Sequence, residues 1–321
     1  MHNRLSVGRG RRYLGGVLGI LYPMLVFNDF DAWGAAVSGA SLRMVCDAVD
    51  TGVWAIGSAD LGGVTLQVAS EGGGNLCVGD NTHDGTLVFV PLTRAADHVV
   101  NGESLDDESL FAIPRGTDFR IAVRRRSHRW CSISLPSDVA TTLGQTSSRV
   151  TCPPGSLPRL RRLVQEIAGT LLDRPAGTPA HLAAGRELGD AARTCLPSAL
   201  ASKQRVGRPR LDRNDIVRRA VIHLDDALLV PTATDLARHV GVTGRTLLRT
   251  FQETFGVSPK RYLMLRSLHA VRRRLRDGAE HGETVADVLT QHGIWEFGRF
   301  AARYRRHFGE SPSETLRSVR G

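Results

Sequence analysis

Arg245, Arg249 and Gln252 are separated by four and three residues, the spacing that lines side chains along one face of a helix. The guanidinium fork of arginine matches guanine O6 and N7, and the glutamine amide matches adenine N6 and N7. This is chemistry of recognition, the reading of base edges in a major groove, with no bond made or broken. It needs a helix that shows this face to DNA and buries the opposite one. Residues 234–251 supply the parts in order: an apolar face from Leu236, Ala237 and Val240, a turn at Gly241-Val242, and a second helix opened by Thr243. A threonine hydroxyl there can accept a hydrogen bond from an N–H of the first helical turn. Leu247 and Phe251 complete the core side, with small Ala237 where the two helices approach. The candidate DNA-facing set is Thr243, Gly244, Arg245, Leu248, Arg249 and Gln252.

The same helix-turn-helix arrangement returns further along the chain. Asp287, Val288, His292-Gly293-Ile294, Phe300 and Tyr304 repeat its landmarks, and Phe255-Gly256-Val257-Ser258-Pro259 recurs as Phe308-Gly309-Glu310-Ser311-Pro312. Gly241 and Gly293 are 52 apart and the later landmarks 53, so the second turn carries one extra residue. A duplicated unit predicts two recognition helices entering successive major grooves. On the second helix Gly298 and Ala302 stand where the first has Arg245 and Arg249, with Arg299, Arg303, Arg305 and Arg306 around them. Small side chains permit close approach to the groove and the arginines suit phosphate, so the first helix is expected to carry base readout and the second positioning. Its candidate residues are Glu296, Phe297, Gly298, Arg299, Ala302, Arg303 and Arg306. Residues 259–276 between the units read as one long helix with Tyr262, Leu263, Leu265, Leu268, Val271 and Leu275 on its apolar side; Arg272, Arg273 and Arg274 read as a solvated charge run.

Charge follows this division. The chain of 321 residues has a net charge of +10. Residues 205–321 hold 22 Lys/Arg against 13 Asp/Glu, whereas the first 204 are nearly balanced at 20 against 19. The excess sits in the unit that would meet phosphate. Five scattered cysteines (Cys46, Cys77, Cys131, Cys152, Cys195), odd in number and without a C-x-x-C spacing, indicate reduced thiols in the cytoplasm, neither a disulfide framework nor a zinc site.

Upstream the periodicity changes. Val64, Leu66 and Val68 alternate with polar residues, residues 87–90 form a short apolar run, and Ile121, Val123, Cys131, Ile133 and Leu135 alternate again. Asn101-Gly102 is a tight-hairpin signal. Six to eight short strands are expected over residues 53–136, forming a β-barrel or jelly roll within a sensor domain of residues 27–136, a shape that can enclose a ligand. Residues 137–204 read as a helical connector. Leu160, Leu163, Val164, Ile167 and Leu171 form one helical face, followed by a Pro/Gly break at residues 175–179 and a second helix over residues 182–200. Its apolar stripe fits either packing on its own barrel or a homodimer interface through residues 157–200. Residues 205–213 are a basic linker, in which Gly207-Arg208-Pro209-Arg210 resembles a minor-groove tripeptide and equally fits a solvated linker. Residues 1–26 are expected to be a non-structural extension: the apolar run 17–27 is too short and too broken for a membrane span, no cleavage site follows it, and Met24 is a candidate start.

Catalytic constellations do not emerge. There is no Gly-x-Ser-x-Gly elbow, phosphate loop or His-Glu-x-x-His. His83, His98 and His128 lack the close His-x-His grouping that a metal-dependent cupin-type enzyme would need. A cysteine-based alkyl acceptor would need an activated thiol, and no cysteine has His, Arg or Lys company at a motif spacing. The reading is therefore no enzyme, no metal and no cofactor.

With these residues in view, residues 214–317 resemble the DNA-binding domain of AraC/XylS-family transcription regulators. The string Gly293-Ile294-Trp295-Glu296-Phe297-Gly298-Arg299-Phe300-Ala301, followed by Tyr304, Phe308-Gly309-Glu310 and Pro312-Ser313, is its most specific part. The resemblance implies a seven-helix domain over residues 214–321, double-stranded promoter DNA and RNA polymerase as partners, and activation as the usual outcome. More weakly, the upstream part is similar to family members with an N-terminal β-barrel sensing domain, including regulators of the ethanolamine-operon type, which implies a small-molecule effector. Leu289 departs from the family pattern, standing where a small residue is common. The expected fold class is α+β: a β-barrel or jelly-roll sensor, a helical connector and an all-α domain with two helix-turn-helix motifs.

Overall fold

A computed structural model of the chain describes residues 11–13, 24–137, 146–172, 174–196, 213–226, 231–277 and 282–320. It divides into two compact units, one of residues 1–44 and 50–206 and one of residues 207–321 together with 45–49.

In the N-terminal unit the alternating segments become strands: β1 (Arg11–Tyr13), β2 (Met24–Phe27), β3 (Ala40–Val49), β4 (Trp54–Asp60), β5 (Thr65–Glu71), β6 (Gly73–Asn81), β7 (Gly85–Pro91), β8 (His98–Val100), β9 (Glu103–Ser104), β10 (Ser109–Ile113), β11 (Asp118–Val123), β12 (His128–Pro136) and β13 (Ser148–Thr151). One sheet runs β1-β2-β4-β5-β12-β7-β10-β13 and a second β3-β6-β11-β8-β9. Of the two expected shapes this is the two-sheet, jelly-roll-like one, with neither sheet closed on itself. Among the described residues nine strands, β4 to β12, fall within residues 53–136, where six to eight are expected. β6 (Gly-Gly-Asn-Leu-Cys-Val-Gly-Asp-Asn) is buried along nearly its whole length and shows no alternation to read, and β8 and β9 are too short for any period. The Asn101-Gly102 hairpin forms as read: both residues have positive φ, 48° and 85°, and Val100 faces Glu103 across them, the geometry of a type I′ turn.

The segment expected to be a non-structural extension contributes two of these strands. Arg11 pairs with Val26 and Tyr13 with Met24, and Leu25 pairs with Ile56 of β4. Met24 and Phe27 are buried, so the end of the apolar run is strand; residues 14–23 lie outside the described ones.

Helices α2 (Ser156–Leu171) and α3 (Pro179–Cys195) follow, separated by the Pro/Gly break, with Thr178 capping α3 and Pro179 at its first position. The apolar face of α2 is not left for a partner. Leu160, Leu163, Val164, Ile167 and Leu171 share one core with Val88, Val90, Leu110, Cys131 and Ile133 of the large sheet. The homodimer reading of residues 157–200 is thereby corrected for this stripe, because each of these side chains gains about 1.5–3 kcal/mol from burial within its own unit. On α3, Gly185 lies so close to the β4–β5 turn that a Cβ would stand 2.1 Å from the Leu61 carbonyl oxygen.

The C-terminal unit has seven helices among the described residues: α4 (Arg213–Asp226), α5 (Ala233–His239), α6 (Gly244–Phe255), α7 (Pro259–Asp277), α8 (Val285–Gln291), α9 (Phe297–Phe308) and α10 (Pro312–Arg320). α7 is the long helix expected between the motifs and joins them. Near its start Tyr262 stacks on Phe255 at 5.2 Å and meets Phe251 edge-on at 5.5 Å. Further along, Leu268, Val271 and Leu275 pack with Val288, Leu289, Phe300, Tyr304 and Leu316. The basic linker up to Asp212, with its Gly207-Arg208-Pro209-Arg210 tripeptide, lies outside the described residues.

Candidate nucleic-acid interface

The two motifs are built by the same local physics. Thr232 caps α5 and Thr284 caps α8. Each accepts from the backbone N–H three residues on, while Asp235 or Asp287 accepts in return from the cap residue's N–H, a reciprocal capping box. Hydrogen bonds from the threonine hydroxyl, then from its backbone N–H, hold both aspartates below the ordinary carboxylate range. After the first helix the chain turns through Gly241 (φ 71°) and Gly293 (φ 68°), a left-handed conformation in which a side chain is strained. The Val242 N–H then donates to the Ala237 carbonyl at 3.0 Å and the Ile294 N–H to the Leu289 carbonyl at 2.9 Å. Leu289 is thus seated as Ala237 is, inside the core, and its larger side chain leaves the turn unchanged. Both recognition helices span 12 residues and end at glycines with positive φ, Gly256 and Gly309.

The extra residue falls between turn and helix. After Gly241 come Val242 and the cap Thr243; after Gly293 come Ile294, Trp295 and the cap Glu296. Thr243 accepts from the Thr246 N–H at 3.1 Å as expected, whereas the Glu296 side chain makes no capping bond.

On α6 the buried side is Leu247, Thr250, Phe251, Thr254 and Phe255. The opposite side exposes Thr243, Gly244, Arg245, Leu248, Arg249 and Gln252, all six residues of the candidate set. Arg249 Nε lies 2.8 Å from Glu253 Oε1 with its side chain still 70% exposed. A solvated pair of this kind contributes about 0.3–0.5 kcal/mol, so another acceptor can take the guanidinium over.

On α9, Phe300 and Tyr304 are buried, and Glu296, Phe297, Gly298, Arg299, Ala302, Arg303, Arg305 and Arg306 are exposed. A Cβ added at Gly298 would meet nothing within 4 Å. Trp295 is 74% exposed, the most exposed large apolar side chain among the described residues. Sequence reading passed over it as a site residue, although the extra position in the second turn was a signal for it.

Of the arginine run on α7, Arg273 is exposed, whereas Arg272 and Arg274 are packed and paired. Arg272 is stacked 4.4 Å from the Phe308 ring centroid and paired with Glu310 at 3.1 Å, and Arg274 is paired with Glu283 at 2.5 Å. These arginines brace the ends of the second motif. Tyr304 donates to or accepts from Thr315 Oγ1 at 2.8 Å, and burial pushes its phenol up to about 12.

The histidines weighed for an enzymatic reading lie in the N-terminal unit. His98 and His128 meet edge-to-face at 5.1 Å, but His83 lies 3.2 Å from the Leu135 carbonyl, and no group of three or more His, Cys, Asp or Glu side chains among the described residues is arranged to hold a metal. All five cysteines are buried free thiols. Burial pushes Cys131 up to about 12; a hydrogen bond from Cys152 lowers Cys195.

A family profile described as a helix-turn-helix domain matches residues 236–318, both motifs and α7 between them. The chain is 36% identical over 118 residues to the probable thc operon regulatory protein of Rhodococcus erythropolis, covering 36% of each protein. It is 34% identical over 85 residues to the XylDLEGF operon transcriptional activator of Pseudomonas putida, covering 26% of each. The alignments thus span between about a quarter and a third of the curated relatives' length. Among solved structures, a probable AraC family transcriptional regulator from Rhodopseudomonas palustris CGA009 is 31% identical, aligned over 33% of this chain and 99% of that one, with a TM-score of 0.31. Residues 236–318 are thus a duplicated helix-turn-helix domain of the AraC/XylS type, similar to that of operon regulators.

Proposed function

We propose that the chain is a sequence-specific activator of transcription that binds double-stranded promoter DNA in the cytoplasm, contacts RNA polymerase and responds to a small molecule held by its N-terminal unit. The observation that carries the reading is the face of α6, where Arg245, Arg249 and Gln252 are exposed together on a helix whose other side is core. In this reading Arg245, Arg249 and Gln252 read base edges, Leu248 lies against a thymine methyl, and Thr243 and Gly244 sit at the phosphate. On α9, Gly298 and Ala302 let the helix settle, Phe297 lines the groove, Glu296 fixes Arg299, 2.8 Å away, and Arg299, Arg303 and Arg306 hold the backbone. The operon-regulator relatives support the activator part.

The test is selection of bound sequences from a random duplex library with the full chain, followed by titration of the selected site across salt concentrations. A recovered consensus spanning two adjacent major grooves is expected, with affinity falling steeply with salt because phosphate contacts release counterions. No enriched sequence, or a flat salt response, would overturn the reading.

A further inference from the structure

Between the two sheets of the N-terminal unit lies a cavity of about 70 Å³, open at one side. Its walls are mostly apolar, from Leu42, Leu87, Phe89, Phe119, Ile121 and Val123, and Ser38, Glu71, Asn75, His128 and Ser132 supply its polar groups. There Glu71 of β5 and His128 of β12 are direct cross-strand partners. One carboxylate oxygen, Oε1, accepts from the Trp130 indole N–H at 2.6 Å and lies 3.4 Å from His128 Nε2. The other His128 nitrogen is 3.2 Å from the Arg126 carbonyl. With an acceptor facing each ring nitrogen, the geometry favours the protonated ring. Burial alone would lower its pKa, but the charge of Glu71 and hydrogen bonds to Glu71, Arg126 and Gly73 outweigh it and leave the value raised.

The second carboxylate oxygen is different. Glu71 is 2% exposed, and its Oε2 has no hydrogen-bond partner among the described residues. Asn75, which also lines the cavity, donates to Met44 Sδ at 3.4 Å and leaves its Oδ1 in the same condition. Buried acceptors without a donor are costly and rare, and each calls for an explanation. The charge of Glu71 is already balanced by His128, so the cavity asks for a donor without asking for a cation. An anion would face the free lone pairs of Oε2, and a cation would have to lose its hydration beside a pair that is already neutral.

We propose that this cavity is the effector site and that it takes a small neutral alcohol, whose hydroxyl donates to Glu71 Oε2 while its hydrocarbon part lies between Phe89, Phe119 and Ile121. The site's role as effector site rests on the regulatory reading above, but binding to it is measured without DNA, so the two can fail separately. An apolar cavity of about 150 Å³ holds benzene. At about half that volume this one suits roughly three or four heavy atoms, with a longer tail reaching the open side.

The matched probes are propan-1-ol, propylammonium and propionate, titrated into the ¹⁵N-labelled full chain while the indole N–H resonances are followed. Trp130 reports on the Glu71 carboxylate; Trp295, exposed in the other unit, reports bulk solvent effects. With so few heavy atoms the dissociation constant is expected on the order of millimolar. Propan-1-ol should shift Trp130 saturably at concentrations that leave Trp295 unmoved, with propylammonium at least about fivefold weaker and propionate not binding. Glu71→Gln places an amide N–H₂ where Oε2 stands and should reverse the order, favouring propionate. Ile121→Trp, which fills the cavity and leaves Glu71 in place, should abolish saturation with all three. Should Glu71→Gln fail to fold, the wild-type order and Ile121→Trp decide. Propionate binding the wild type as well as propan-1-ol, no saturable shift, or a shift that survives Ile121→Trp would each overturn the proposal.

Discussion

The two helix-turn-helix motifs have the same frame and different faces. Capping box, left-handed turn glycine, carbonyl-to-turn hydrogen bond and C-terminal glycine recur at offsets of 52 and then 53 residues. The face proposed to meet DNA diverges at corresponding positions: Arg245 against Gly298, Arg249 against Ala302, Gln252 against Arg305 and Glu253 against Arg306. A helix pair needs its caps, its turn and its core in order to exist, whereas its exposed stripe contributes little to folding. Stability therefore constrains the first set, and the second is free to specialise. One motif carries side chains with fixed donor geometry for bases, and the other carries charge around a smooth surface.

The largest effect should come from the shared core. Phe251 is fully buried against Phe255 and Tyr262, and truncating such a ring costs about 3–5 kcal/mol. Because α7 joins the two cores, Phe251→Ala should lower amide protection in α8 and α9 as well as in α5 and α6, measured by hydrogen exchange on the full chain. Protection lost in the first motif alone would mean that the two fold separately.

The faces should then separate by specificity. Arg245→Ala and Arg249→Ala are each expected to cost roughly 1–3 kcal/mol on a selected site and much less on random DNA, the mark of base reading. Arg303→Ala and Arg306→Ala should weaken both kinds of DNA alike and reduce the salt slope by about 1 each. If the α6 variants lose equally on both DNAs, the first helix is also a phosphate clamp and the contrast between the motifs disappears.

Local signals explain which parts were legible in the sequence. Thr243 as a cap, Gly241 and Gly293 as turns, the buried face of α7 and the Asn101-Gly102 hairpin each follow from a few neighbouring residues. The same holds for the exposed face of α6, which is what remains once the core positions are assigned. The N-terminal unit was legible as β structure but not as a site, because Glu71 and Trp130 are 59 residues apart and meet only through the register of β5 against β12. His128 could be named and not interpreted for the same reason. The arginine run failed differently: Arg272 looks solvated in the sequence because its partners, Phe308 and Glu310, belong to an element packed against it in space. The α2 stripe had two physically equal uses until the sheet that covers it was seen.

The smallest expected effect is also the sharpest comparison, at corresponding positions 253 and 306. Glu253 Oε1 is 2.8 Å from Arg249 Nε, and its other oxygen is 2.5 Å from Arg213 Nη1. It does one thing and, on the proposed DNA-bound face, would do an opposed second: it holds the Arg249 side chain in one direction, and it would set a negative charge near the phosphates. Glu253→Gln removes the repulsion and loosens Arg249. Affinity for random DNA should rise about twofold, a few tenths of a kcal/mol, as expected for a solvated charge pair. Affinity for the selected site should stay nearly constant, because the lost orientation of Arg249 offsets the gain, so the ratio of specific to random binding narrows. Arg306 follows Ala302 where Glu253 follows Arg249, and Arg306→Gln should lower both affinities together and leave the ratio unchanged. Titrating both variants on both duplexes at two salt concentrations gives the comparison directly. A specificity ratio that Glu253→Gln leaves untouched would show that Arg249 needs no help from its neighbour, and the two positions would then differ in sign of charge alone.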